Sequence, residues 1–231
     1  MNIDLQVKKK IDGIFPLIAE VDFNVNTLEQ FYEDLSSEEI LVFDKYELLS
    51  ILRHYLWKGS ILDLCKLFIE NEKYSFRRLV NIIVNNYKRV SFKSPLTTKE
   101  IFGLYDKTKD FEIYIKHVKE VRDVSVAHKD DKVVFNNLML YELRALVELA
   151  KAIFNPIYAA LYDSDFIWLL KEDKRALSLI KNIAKYESIQ KLAFRSDLSK
   201  KKDIQTADLI KIIDKTYLIR DLTYIDKFKL P

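Results

Sequence analysis

Arg122 and His128, with five residues between them in VRDVSVAHKDD, are the pair of side chains most suited to chemistry in this chain. Histidine titrates near neutrality and can accept or donate a proton. Arginine is a fixed cation whose planar fork grips two phosphate oxygens at once. Together they suit metal-free scission of RNA. In that reaction the 2′-hydroxyl attacks its own phosphate, a base takes its proton, an acid protonates the departing 5′-oxygen, and a cation meets the charge on the phosphorane. Asp123 could orient either residue or the attacking hydroxyl, and Asp130, two residues beyond the histidine, could hold the imidazole.

Helix geometry constrains the idea. Six residues turn about 600°, which leaves Arg122 and His128 about 120° apart around a straight helix. His128 instead continues the stripe of His117, Val121 and Val124. Either the helix ends near Ala127 and releases His128 at a turn, or arginine and histidine converge from two chains across a two-fold axis. A histidine at a helix C-terminus also feels the negative end of the dipole, which favours its charged form. The spacing by itself is common, and its bland explanation is an exposed arginine followed by a helix-ending histidine.

The elements that position this stretch read as helices. The chain has 231 residues, 49% hydrophobic, with only three glycines and four prolines. So few breakers favour long helices over a turn-rich sheet fold. Ile3, Val7, Ile11, Ile14, Leu17 and Ile18 predict a first helix that Gly13 and Pro16 shorten or kink, followed by a short helix over 28–35 capped by Asn26 or Thr27. Ser36 and Glu39 form a capping box for one helix over 37–70, with Gly59 its weak point. Ser75 caps a helix over 76–87, and YKRVSFKSP is a basic loop. Thr97 and Glu100 form a second box, starting a helix that runs through Val121 into the Arg122 stretch. Asn137 caps a helix over 138–162, which Pro156 should bend or divide. Helical patterns over 172–194 and 204–219 flank the linker RSDLSKKKD. Long helices joined by short loops predict an all-α fold, an antiparallel bundle.

Other constellations carry less. His117 and Glu120 could form half of a carboxylate-bundle metal site, but His54 is the only other histidine outside the motif and has no glutamate at ligand spacing. His117 is therefore expected to pack or hydrogen-bond within the bundle, within reach of the site. Lys66 either pairs with Asp63 three residues earlier or lines a phosphate channel. Lys88 and Arg89, with Lys200, Lys201 and Lys202, are candidates for tracking an RNA backbone. Residues 171–231 hold 15 Lys/Arg against 9 Asp/Glu, a net +6 in a chain of net +3. One cysteine, Cys65, excludes an intrachain disulfide framework and fits a reducing cytoplasm. MNIDLQVKKK has no apolar run of signal-peptide type, and no window is long and apolar enough to span a membrane. No motif for a cofactor is present.

RDVSVAHKD resembles the signature of the HEPN superfamily (higher eukaryotes and prokaryotes nucleotide-binding domains), and the form RDxxxAHxD looks most like the AbiU-type abortive-infection branch. WKGSILDLCKLFIENEKYSFRRLVNII is similar to that branch's earlier helix pair, and LMLYELRALVELAKAIFNPIYAALYD to the helix after the motif. The resemblance covers roughly residues 38–165, within a domain of residues 1–170, and leaves 171–231 as a basic helical extension. It implies a HEPN-like antiparallel four-helix bundle with extra N-terminal and C-terminal helices, a homodimer with facing motifs, and a metal-independent endoribonuclease leaving a 2′,3′-cyclic phosphate. Under it, Arg122 stabilises charge, Asp123 is the polar residue after the arginine, and His128 transfers protons, with Asp130 and His117 in support. A toxin-like role in defence against phage or plasmids follows, with RNA as substrate and an antitoxin or defence-system partner. The superfamily also holds non-catalytic modules that bind nucleotide, RNA or protein, which is the alternative reading.

Overall fold

The computed structural model describes residues 2–33, 35–125, 138–164 and 175–195. All regular structure among them is helical: α1 (Ile3–Glu33), α2 (Ser37–Lys45), α3 (Glu47–Phe68), α4 (Phe76–Asn85), α5 (Thr98–Asp106), α6 (Glu112–Ser125), α7 (Leu140–Tyr162) and α8 (Arg175–Arg195). Two 3-10 turns, Tyr87–Arg89 and Lys107–Phe111, join α4 to the following loop and α5 to α6. The chain divides into two compact units. One holds residues 1–34 and 46–173, and the other holds residues 35–45 and 174–231.

The core of the first unit starts with α1. Ile3, Val7, Ile11, Ile14, Ile18, Val21, Val25, Leu28 and Phe31 are all buried, and they recur every three or four residues along the whole helix, so one apolar stripe runs its full length. That stripe explains why α1 is a single helix where two were expected. Pro16 and Asp12, whose carbonyl loses its intrahelical partner to the proline, are both exposed, so water can satisfy that oxygen. Thr27 does not cap; its hydroxyl bonds back to the Phe23 carbonyl at 2.9 Å within the helix. Pro156 is absorbed in the same way, since α7 continues through it and Ala152, the residue four before it, is exposed.

Around this core α1 packs on α3 and α7, α3 on α6 and α7, and α6 on α7, while α4 and α5 pack on each other. The second half of α3 is buried almost throughout (Ser60, Ile61, Asp63, Leu64, Cys65, Leu67, Phe68). Gly59 does not interrupt it. A Cβ there would lie 3.1 Å from Asn24 Nδ2, so the glycine permits close approach of α1 and α3.

The single helix expected over 37–70 is two helices. Tyr46 between them is extended (φ −108°, ψ 104°). No proline or capping side chain marks the break. What changes is the packing partner: α2 packs on α8 in the second unit, where Lys45 pairs with Glu187, whereas α3 packs within the first. The helix expected to run unbroken from Thr97 is likewise interrupted, by the 3-10 turn Lys107–Phe111.

Local signals hold where both partners are close in sequence. The Ser36/Glu39 and Thr97/Glu100 boxes are formed, with Ser36 N–H donating to Glu39 Oε2 at 2.8 Å and Thr97 N–H to Glu100 Oε2 at 2.7 Å. Ser75 accepts from Arg78 N–H. At α7 the N-cap is Met139, whose N–H donates to Glu142 Oε2 at 2.7 Å; Asn137, the expected cap, lies outside the described residues. The basic loop after α4 is pinned at two places. Ser91 donates through N–H and Oγ to the two oxygens of Asp4, and Lys93 and Ser94 N–H both donate to the Ala160 carbonyl. The helix expected over 204–219 and the linker RSDLSKKKD lie outside the described residues.

Candidate functional site

Val118 and Val121 turn one face of α6 into the core, which places Arg122 and Asp123 at the rim, both half-buried. Arg122 sits in the last turn, where a cation offsets the negative end of the helix dipole. Its Nε and Nη2 donate to Asp123 Oδ1 at 2.9 and 2.8 Å. Its Nη1 donates to Glu72 Oε1 at 3.2 Å. Glu72 belongs to the turn between α3 and α4. The hydrogen bonding to the Asp123 carboxylate is the main reason the guanidinium's pKa is raised.

Cys65 lies near this cluster, buried, its Sγ 3.7 Å from the Val118 carbonyl oxygen. Burial pushes its thiol up to about 12, against the opposing field of Arg122. Near neutral pH Cys65 is therefore a neutral packing group, unsuited to nucleophilic work.

His117 faces the other way. Its Nδ1 is 2.9 Å from Glu142 Oε1, and the second oxygen of that buried carboxylate is the cap of α7. The expectation that His117 hydrogen-bonds within the helical packing is met: it joins α6 to the start of α7. Lys66 pairs with the buried Asp63 at 2.7 Å, the local pairing that its spacing allowed. Lys88 and Arg89 are exposed on the 3-10 turn after α4. His128, Asp130, Lys200, Lys201 and Lys202 lie outside the described residues, as does the expected helix end near Ala127. Arg122 and Asp123 are thus the described members of the motif.

Two further polar features were not anticipated. Arg144 on α7 bonds Asp22, Asn26 and Glu29, which line one face of α1, and Lys151 joins Asp22 at 2.9 Å. Residues 22, 26 and 29 recur at i, i+4, i+7, as do 144, 148 and 151, so each set shares one helix face; the spacing was a signal, but the pairing across 115 to 122 residues was not. His54 lines a cleft of about 360 Å³ with Tyr32, Ser50, Arg53, Trp57 and Leu138. Among the described residues, no group of three or more His, Cys, Asp or Glu side chains is arranged to hold a metal ion. No described helix is long and apolar enough to cross a membrane.

The arrangement at Arg122 offers a charged, oriented fork of five donors, three of its contacts taken by two carboxylates that a phosphate could displace. Comparison of the chain with protein-family models, with curated proteins and with solved structures finds no match.

Proposed function

We propose that the chain is a metal-independent endoribonuclease of HEPN type, a homodimer with a toxin-like defence role, in which Arg122 and His128 act at a composite site. The observation that carries this reading is Arg122 itself. The motif arginine stands at the rim of the core in the last turn of α6, held by Asp123 and Glu72 with its charge secured. A guanidinium so oriented can receive a phosphate by exchanging one carboxylate for it. Within the stretch that carries the resemblance, α3, α6 and α7 pack on one another, as a helical bundle there requires, while α1, which packs on α3 and α7, lies outside that stretch.

A second reading has its own observation. The carboxylates on Arg122 are what a purely structural tie between α6 and the α3–α4 turn requires, and a module that binds nucleotide, RNA or a protein partner without cutting could keep it. The test is incubation of the purified chain with RNA in excess chelator. Cleavage with 2′,3′-cyclic phosphate ends, abolished in both Arg122→Ala and His128→Ala, is expected. Mixing the two variants should restore part of the activity if each site draws on two chains. A chain that leaves RNA intact, and whose expression does not slow growth, is not this enzyme.

A further inference from the structure

The turn that sends Glu72 to Arg122 sends its next two residues to a different place. Lys73 and Tyr74 line a groove of about 480 Å³ with Gln6, Lys9, Lys10, Asp12, Gly13 and Ile82, a volume in the range of small-ligand sites. Lys10 and Lys73 bring their ammonium groups to one ring here, with the exposed Lys9 also on the lining, against one carboxylate, that of Asp12. Lys10 is half-buried and its Nζ donates to the Lys73 carbonyl oxygen. The Tyr74 ring gathers two of the cations, with Lys73 Nζ at 4.9 Å and Lys10 Nζ at 5.6 Å from its centroid. Burial, and then the like charges of Arg78 and Lys73, lower the pKa of Lys10. Among the described residues, Lys9, Lys10 and Lys73 form no ion pair. Three other half-buried cations, Arg122, Arg144 and Lys151, each have a carboxylate partner. Gly13 matters to the shape, because a Cβ there would come within 2.2 Å of the Tyr74 ring.

Like charges held together over an aromatic ring, in a concave site where cations outnumber the one carboxylate and form no ion pair with it, are an anion site waiting for its counter-charge. We infer that the groove between α1 and the α3–α4 turn binds a nucleotide phosphate group, with Lys10 and Lys73 as its principal contacts and Lys9 at its rim. The choice of nucleotides among phosphate carriers rests on the proposed RNA substrate; the anion site does not, and it requires nothing of Arg122 or His128. The phosphate could belong to an RNA strand or to a free nucleotide.

The experiment uses the full chain in chelator and two probes, a short fluorescein-labelled 2′-O-methyl oligoribonucleotide, which cannot be cut, and ATP. Lys10→Ala/Lys73→Ala should weaken binding of at least one probe roughly tenfold, and for the oligonucleotide should flatten the log–log salt slope by about 1.4. Lys9→Glu, a change at an exposed side chain, should weaken the same probe without affecting folding, as followed by thermal melting. Lys109→Ala/Lys116→Ala removes the same charge from exposed positions and should change binding less than twofold. Loss confined to the oligonucleotide assigns the site to a strand; loss confined to ATP assigns it to a free nucleotide. No binding of either probe, or equal loss in the groove and control variants, overturns the inference. Cleavage is read separately. A chain that cuts RNA while its groove variants bind normally refutes the groove alone, and one that does not cut while its groove variants lose a probe refutes the nuclease alone.

Discussion

Arg122 Nη1 donates to Glu72 Oε1 at 3.2 Å, so the last turn of α6 is tied to the turn between α3 and α4 across fifty residues of sequence. A phosphate arriving at Arg122 must compete with that carboxylate or with Asp123. Glu72→Gln removes a full negative charge from the competition while keeping an acceptor oxygen. Affinity for an uncleavable RNA should therefore rise a few-fold. The stability cost should stay under about 1 kcal/mol, because both side chains are partly exposed. Arg122→Lys should not substitute for arginine, since a point charge lacks the fork. Unchanged RNA affinity in Glu72→Gln together with a clear loss of stability would mark the contact as a structural tie only.

The half-buried Arg144 cluster sets a different expectation. Asp22 is 3% exposed and takes bonds from Arg144 and Lys151. Arg144→Ala leaves Asp22 and Glu29 short of their main cation and should destabilise the fold by about 3 kcal/mol. Urea unfolding measures this. Lys109→Ala at an exposed pair serves as the reference and should fall within about 0.5 kcal/mol of the parent.

Cys65 supplies a pH dependence. Its thiol is held neutral by burial, pushed from an ordinary 9.0 up to about 12. In the unfolded chain it ionises near 9, so between those values the folded state binds the extra proton. Its contribution to stability is therefore complete below pH 9 and is lost as pH rises towards 12. Alkaline unfolding curves of the parent should converge on those of Cys65→Ala across that window. Parallel curves would show that the thiol titrates alike in both states.

Two glycines give opposite outcomes for one substitution. Gly103 has open space around its Cβ position, and Gly103→Ala within α5 should raise stability by about 0.5–1 kcal/mol through helix propensity. Gly13→Ala collides with three carbons of the Tyr74 ring and should lower the melting temperature despite the same gain in propensity.

How legible all this was depended on distance along the chain. The capping boxes at Ser36 and Thr97, the cap at Ser75 and the Lys66–Asp63 pair each sit within four residues and could be read directly. The stripe of α1 is visible too, but Pro16 argues locally against one continuous helix, because solvent access to the Asp12 carbonyl is not written in local sequence. The break at Tyr46 could not be foreseen, since only the packing partner changes there. Glu72, the second carboxylate on Arg122, and the Lys10–Lys73–Tyr74 groove depend on folding distant segments together, and no spacing rule reaches them.

Glu142 divides its two oxygens between His117 on α6 and the N–H of Met139, the N-cap of α7. One buried side chain thus holds two posts at once, and the positions cannot drift independently. Glutamine could still accept from Met139 but would meet His117 with a neutral amide, whereas aspartate would come up a methylene short of both. Replacing Glu142 therefore loosens His117 and the start of α7 together, so the two helices that flank the motif share one anchor.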